Sequence, residues 1–115
     1  MKKMLLMLVA IATLGFVSCK KDSNDGNDLA GTTWICSEPG YQETMKFLPG
    51  GRVTDTWRYT DGSGSGSGDG SYTYTPPYIT VTIAEDGYTF IYSGTVTGNT
   101  MNLTCYGEPY VFVKR

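Results

Sequence analysis

The sequence predicts an all-β, antiparallel fold, about eight short strands in an up-and-down meander, and three observations carry that prediction. The 115 residues include 15 glycines, nine tyrosines and no histidine, a composition weighted to residues that favour pleated strands and tight turns. From Thr32 to the end, turn signals recur roughly every eight to twelve residues, the spacing of strands joined by hairpins. No window of that region repeats its apolar residues at helical spacing. The length suits one compact domain and not two.

The first element is not part of that domain. Met1 to Met4 carry two lysines, Leu5 to Val17 are almost wholly apolar, and small Ser18 precedes Cys19. A positive start, an apolar run and a small residue at the cut are the parts of a secretory signal peptide, here residues 1–18. The run falls short of the roughly 20 apolar residues that span a bilayer. Phe16-Val17-Ser18-Cys19 resembles the lipobox of a bacterial lipoprotein, although that family usually has leucine and a small residue at the first two positions. The resemblance implies that Cys19 is acylated, with palmitate-type chains, and becomes the mature N-terminus. It also implies attachment to the outer membrane, because Lys20 stands where an inner-membrane retention signal would place Asp. Each buried CH₂ contributes about 0.8 kcal/mol, so two or three chains hold a protein on a bilayer for long times. Residues 19–29 then read as lipidated cysteine and solvated tether, since KKDSNDGNDL contains almost nothing apolar.

The domain proper, residues 30–115, divides into strands at 32–38, 41–47, 52–60, 71–75, 78–85, 88–96, 100–106 and 109–114. The links between them, such as Asp86-Gly87 and Gly98-Asn99, hold residues that accept a turn conformation. Pro76-Pro77 cannot sit in a central strand and reads as a corner. The stretch Asp61 to Gly70, DGSGSGSGDG, reads as a flexible hairpin loop. No Gly-Lys-Ser/Thr follows it, so it is not a phosphate loop, and it lacks the apolar anchors of calcium-binding repeats.

Alternation assigns an inner face to each strand. Trp34 and Cys36 share one; Tyr41, Glu43, Met45 and Phe47 the next; Val53, Asp55, Trp57 and Tyr59 the third. Tyr72 and Tyr74 follow, then Ile79, Val81 and Ile83, then Tyr88, Phe90, Tyr92 and Val96, then Met101, Leu103 and Cys105. On the last strand Tyr110 and Phe112 compete with Val111 and Val113. Closing the meander into a small barrel removes exposed edges, and a two-sheet sandwich is the alternative.

With the strands laid out, the body resembles the small lipocalin-like domains of cell-envelope lipoproteins in Gram-negative bacteria. Gly31-Thr32-Thr33-Trp34, Met45-Lys46-Phe47 before a Pro-Gly-Gly turn, Gly70-Ser71-Tyr72, and the strand-turn-strand from Ser93 to Thr104 carry the likeness. It implies a binding or interaction module with no cofactor. Ser-Gly-Ser-Gly ahead of a tyrosine strand is also loosely similar to periplasmic lysozyme-inhibitor lipoproteins, but the tryptophan and lysine of that family have no counterpart further on.

Chemistry in the sequence is sparse. Without histidine there is no Ser-His-Asp or Cys-His device and no histidine metal ligand. Glu43 and Asp55 offer a carboxylate pair: if Phe47 lies opposite Val53, Met45 faces Asp55, Glu43 faces Trp57, and the two acids are diagonal neighbours. Trp57, Tyr41, Tyr59 and Tyr72 offer aromatic faces for a small apolar or glycan ligand at an open barrel end, where Glu43 and Asp55 would add polar contacts. The 61–70 loop is the alternative contact, for a protein partner. Cys36 and Cys105 are an even pair in an oxidising location, yet the first and seventh strands flank the eighth, roughly 9–10 Å apart, which opposes a disulfide. The formal charge of −2 opposes nucleic acid as a partner.

Overall fold

The computed structural model describes residues 29–115, so Cys19 and the segments before and after it lie outside the described residues. Eight strands follow in order: β1 (Thr33–Glu38), β2 (Tyr41–Leu48), β3 (Arg52–Tyr59), β4 (Ser65–Thr75), β5 (Tyr78–Glu85), β6 (Tyr88–Thr97), β7 (Thr100–Cys105) and β8 (Glu108–Lys114). Each pairs antiparallel with the next, and β8 returns to β1 through Trp34 opposite Lys114 and Ile35 opposite Val113. The result is a closed barrel, not a sandwich. The expected β2–β3 register is present, with Phe47 opposite Val53, Met45 opposite Asp55 and Glu43 opposite Trp57.

The strands are strongly tilted. One paired row starts at Thr33, at the beginning of β1, and passes through Lys46, Thr54 and Asp69 to Ala84, next to the end of β5. Closing a barrel requires such a climb. The β2–β3, β4–β5 and β6–β7 turns define one end, called proximal below because the chain enters there. The Gly31 amide donates to Phe47 O at 2.7 Å and the Thr32 amide to Leu29 O at 3.0 Å. Leu29 is thereby held in the core at 6% exposure, so the last residue of the expected tether belongs to the barrel. The other four turns define the distal end.

Side chains fill the interior. Trp34, Phe47, Met45, Tyr92, Tyr110 and Phe112 are all below 2% exposed. On β8 the competition between faces resolves toward the aromatics: Tyr110 and Phe112 point inward, while Val111 and Val113 are about half exposed. Larger rings fill a small barrel's volume better than valines do. Tyr88, expected inside, is 69% exposed; as the first residue of β6, opposite Glu85, it stands at the distal rim with little barrel above it.

The larger correction concerns the glycine stretch. Ser65 to Gly70 is not loop but the first half of β4, running from Ser65 opposite Arg58 to Gly70 opposite Val53. Serine and glycine alternate with the two-residue period of a strand, and Ser65, Ser67 and Asp69 are exposed while Gly66, Gly68 and Gly70 are half-buried. A Cβ on Gly70 would lie 1.7 Å from Thr82 O, and one on Gly68 would lie 2.6 Å from Ala84 O. The glycines are there because neighbouring backbone occupies the space of a side chain. The connecting loop shrinks to Thr60–Gly64, where the Tyr59 amide donates to Gly64 O at 2.8 Å and the Ser63 amide to Asp61 Oδ1 at 2.8 Å.

This assignment separates the two residue types of the repeat. Gly70→Ala is expected to lower stability by at least about 3 kcal/mol in urea denaturation, because the obstructing atoms are backbone. Ser67→Ala, on the outer face, should change it by no more than about 0.5 kcal/mol. Equal tolerance of both substitutions would contradict the strand.

Candidate functional site

The sequence singled out six residues as ligand candidates, and the barrel distributes them over three places. Glu43 and Asp55 lie in the interior, both at 0% exposure. Tyr41 and Glu43 are two apart on β2 and so share its inner face. The Tyr41 hydroxyl donates to Glu43 Oε1 at 2.7 Å, and the Tyr92 hydroxyl, from β6, donates to Glu43 Oε2 at 2.7 Å. Such bonds to a buried carboxyl replace the water it has lost. Burial, and next the charge of Glu43, push the Tyr41, Tyr92 and Tyr110 phenols well above the ordinary tyrosine range. They therefore stay protonated, and stay donors, at any working pH. The five described cations, Lys46, Arg52, Arg58, Lys114 and Arg115, are all exposed, so the acids sit among hydroxyls and rings. A substrate could reach Glu43 or Asp55 only by displacing the side chains that enclose them.

Tyr41, Trp57 and Tyr59 come together at the distal end. Tyr41 stacks on Trp57 with ring centres 6.4 Å apart and planes 26° apart, and Tyr59 meets Trp57 edge-on at 5.4 Å. The Trp57 Nε1–H donates to Glu85 Oε2 at 2.8 Å. A Cβ on Gly66 would lie 2.4 Å from that same oxygen and 2.8 Å from the indole, so the bare backbone of β4 makes room for the pair. Glu85 did not stand out in the sequence, although its position two residues after Ile83 continues an inner-facing series. Tyr72 does not join this group: it packs edge-on against Phe47, toward the proximal end, at 4.9 Å.

A concave surface with space for a ligand lies on the outside. A depression of about 380 Å³ lies on the outer face of β2, β3 and β4 near the distal end, lined by Gln42, Thr44, Thr56, Arg58, Ser65 and Ser67, with Trp57 and Gly66 beside them. The first six form two paired rows across the three strands, Gln42–Arg58–Ser65 and Thr44–Thr56–Ser67. Arg58 Nη2 donates to Gln42 Oε1 at 3.1 Å, fixing the guanidinium across the trough. The trough is shallow-walled because β4 contributes only serines to it. It offers hydroxyls, an amide and one cation, groups that hydrogen-bond to sugar hydroxyls or carboxylates. The sequence does not reveal this trough, because Ser65 and Ser67 lie in a glycine-rich stretch with the composition of a loop.

Cys36 and Cys105 are buried thiols, not joined by a disulfide. β8 lies between their strands, and they are offset along it as well: Cys36 follows Ile35, which pairs with Val113, whereas Cys105 pairs with Glu108. Among the described residues, no three acidic or cysteine side chains gather as a metal-binding set.

Two outcomes follow from the interior cluster. Tyr92→Phe removes one of the hydroxyl donors to a buried carboxyl and should cost about 1.5–3 kcal/mol in urea denaturation. The raised phenols also set an alkaline limit. A folded-state pKa above the unfolded value near 10 contributes stability that is complete below about pH 10 and is lost as pH rises toward the folded value. The melting temperature should hold steady from neutral pH to about pH 9.5 and fall above pH 10, with tyrosinate absorbance rising as the fold is lost. Ionisation of all nine tyrosines near pH 10 in the folded protein would contradict the cluster.

The chain matches no protein-family model, no curated protein and no solved structure.

Proposed function

We propose that this chain is an outer-membrane lipoprotein, anchored through Cys19, whose barrel is a non-catalytic module that binds a glycan segment in the trough on the outer face of β2–β4. The observation that carries this reading is the placement of polar groups. Those inside, Glu43 and Asp55, are sealed at 0% exposure, while those free to meet a ligand line a depression of about 380 Å³ on the surface. That volume falls within the range of ligand sites, roughly 300–1,000 Å³. Rows of hydroxyl, amide and guanidinium groups suit a sugar, which presents hydroxyls that both donate and accept at its rim. Acid/base work would need the carboxylates within hydrogen-bond reach of a substrate, and their burial speaks against it. The lipobox-like Phe16-Val17-Ser18-Cys19 supports the anchor.

A panel of soluble cell-wall and lipopolysaccharide-core oligosaccharides, titrated calorimetrically against the protein and against Ser67→Tyr, tests this. Ser67 is exposed, so the added ring fills the trough without entering the barrel. At least one oligosaccharide should bind the parent chain and lose about tenfold or more in affinity with the variant, a difference of about 1.4 kcal/mol. Binding that Ser67→Tyr leaves unchanged, or no binding by any member of the panel, contradicts the reading.

A further inference from the structure

The described charges are segregated along the barrel. Lys46, Arg52, Lys114 and Arg115 are exposed and gather at the proximal end. Lys46 is paired with Thr33, the Arg115 amide donates to Thr33 O at 2.9 Å, Lys114 closes β8, and Arg52 opens β3. Among the described residues no aspartate or glutamate side chain shares that end. Glu38, Asp61, Asp86 and Glu108 occupy the strand ends and turns of the distal rim, Glu85 lies just inside it, and Arg58 is the one described cation nearby. Asp69 stands midway along β4. Exposed tyrosines do not discriminate, since Tyr78 is at the proximal rim and Tyr88 at the distal one. Charge distinguishes the two ends.

The chain also enters the barrel at the basic end, where Leu29 is locked into the core. Residues 20–28 connect that point to Cys19 and, fully extended, reach no more than about 32 Å. They hold two lysines and three aspartates, so this connection as a whole adds no net positive charge to the basic rim. The short connection keeps the basic rim at high effective concentration near whatever surface holds Cys19. The acidic rim is held away.

Resting on the anchoring proposed above, we infer that the proximal rim of Lys46, Arg52, Lys114 and Arg115 docks on anionic phospholipid headgroups. The barrel then stands with its acidic distal end, and the β2–β4 trough, turned away from the bilayer. Clustered cations are attracted to an anionic leaflet, and the attraction fades within a Debye length, about 8 Å at physiological ionic strength. A rim leashed to the surface meets that condition; a freely tumbling barrel would not hold it.

The test uses the full lipid-anchored chain in vesicles of phosphatidylcholine alone or with about 30% phosphatidylglycerol, at ~50 mM salt. Lys46 and Lys114 are acetylated with a water-soluble reagent, Asp61 and Asp86 are labelled with a water-soluble carbodiimide, and rates are read by mass spectrometry. On anionic vesicles both lysines should react about five-fold more slowly than on neutral ones, with protection lost at ~500 mM salt. The two aspartates should react equally on both. Arg52→Glu combined with Arg115→Glu should abolish the protection without unfolding the barrel, since both residues are exposed. Equal lysine reactivity on both compositions, or protection of the aspartates instead, overturns the docking. Flotation at ~500 mM salt reads the anchor separately. A chain that floats but shows no protection keeps the anchor and loses the docking, whereas a chain that does not float loses the anchor and, with it, the leash on which the docking rests.

Discussion

Everything in this barrel depends on how little room eight short strands enclose. Bulky side chains crowd inward from most strands, Trp34, Phe47, Tyr92, Tyr110 and Phe112 among them. Closure is then met only if another strand contributes almost nothing. β4 does so with Gly66, Gly68 and Gly70, whose missing side chains are replaced by the Trp57 indole, the Glu85 carboxyl and the backbone of β5. Gly94 on β6 solves the same problem against Asn102 O, 1.8 Å from where its Cβ would stand. Interiors are as dense as organic crystals, so such concessions are local and specific.

The same constraint separates structural chemistry from functional chemistry. Glu43 looks catalytic by residue type, yet two tyrosine hydroxyls hold its oxygens and rings close over it. A satisfied buried polar network of this kind specifies which side chains face inward and discriminates against a slipped register, which would strand those groups in apolar surroundings. Polar groups free to meet another molecule are displaced to the outside. There, the serines that alternate with the inward glycines turn β4 into one wall of a trough. One six-residue run thus hollows the inner face and furnishes the outer one.

Much of the fold was legible because alternation is visible wherever side chains differ. Ile79, Val81 and Ile83 against Thr80 and Thr82 announce β5, and the tyrosine and phenylalanine series on β2 and β6 do the same. The β2–β3 register followed from a Pro-Gly-Gly turn and two apolar residues facing each other across it. Ser65 to Gly70 was illegible because its inner face is written as an absence: glycine alternating with serine looks like flexible sequence when the neighbours that fill the gap are unknown. Tyr72 and Tyr59 looked equivalent as aromatic candidates, and only the strand directions put them toward different ends. Charge segregation was hidden likewise, since Lys114 and Arg115 are far in sequence from Lys46 and Arg52 and join them only when β8 closes on β1.

Both the filled interior and the outer trough require Ser65 to Gly70 to be a strand. Amide hydrogen exchange measured by nuclear magnetic resonance on the native protein tests this most directly. The amides of this run that bond to β3 should exchange within about tenfold of those in the middle of β5, because both then open only with the barrel. Exchange at the rate of an unstructured chain, with β5 still protected, would contradict the account.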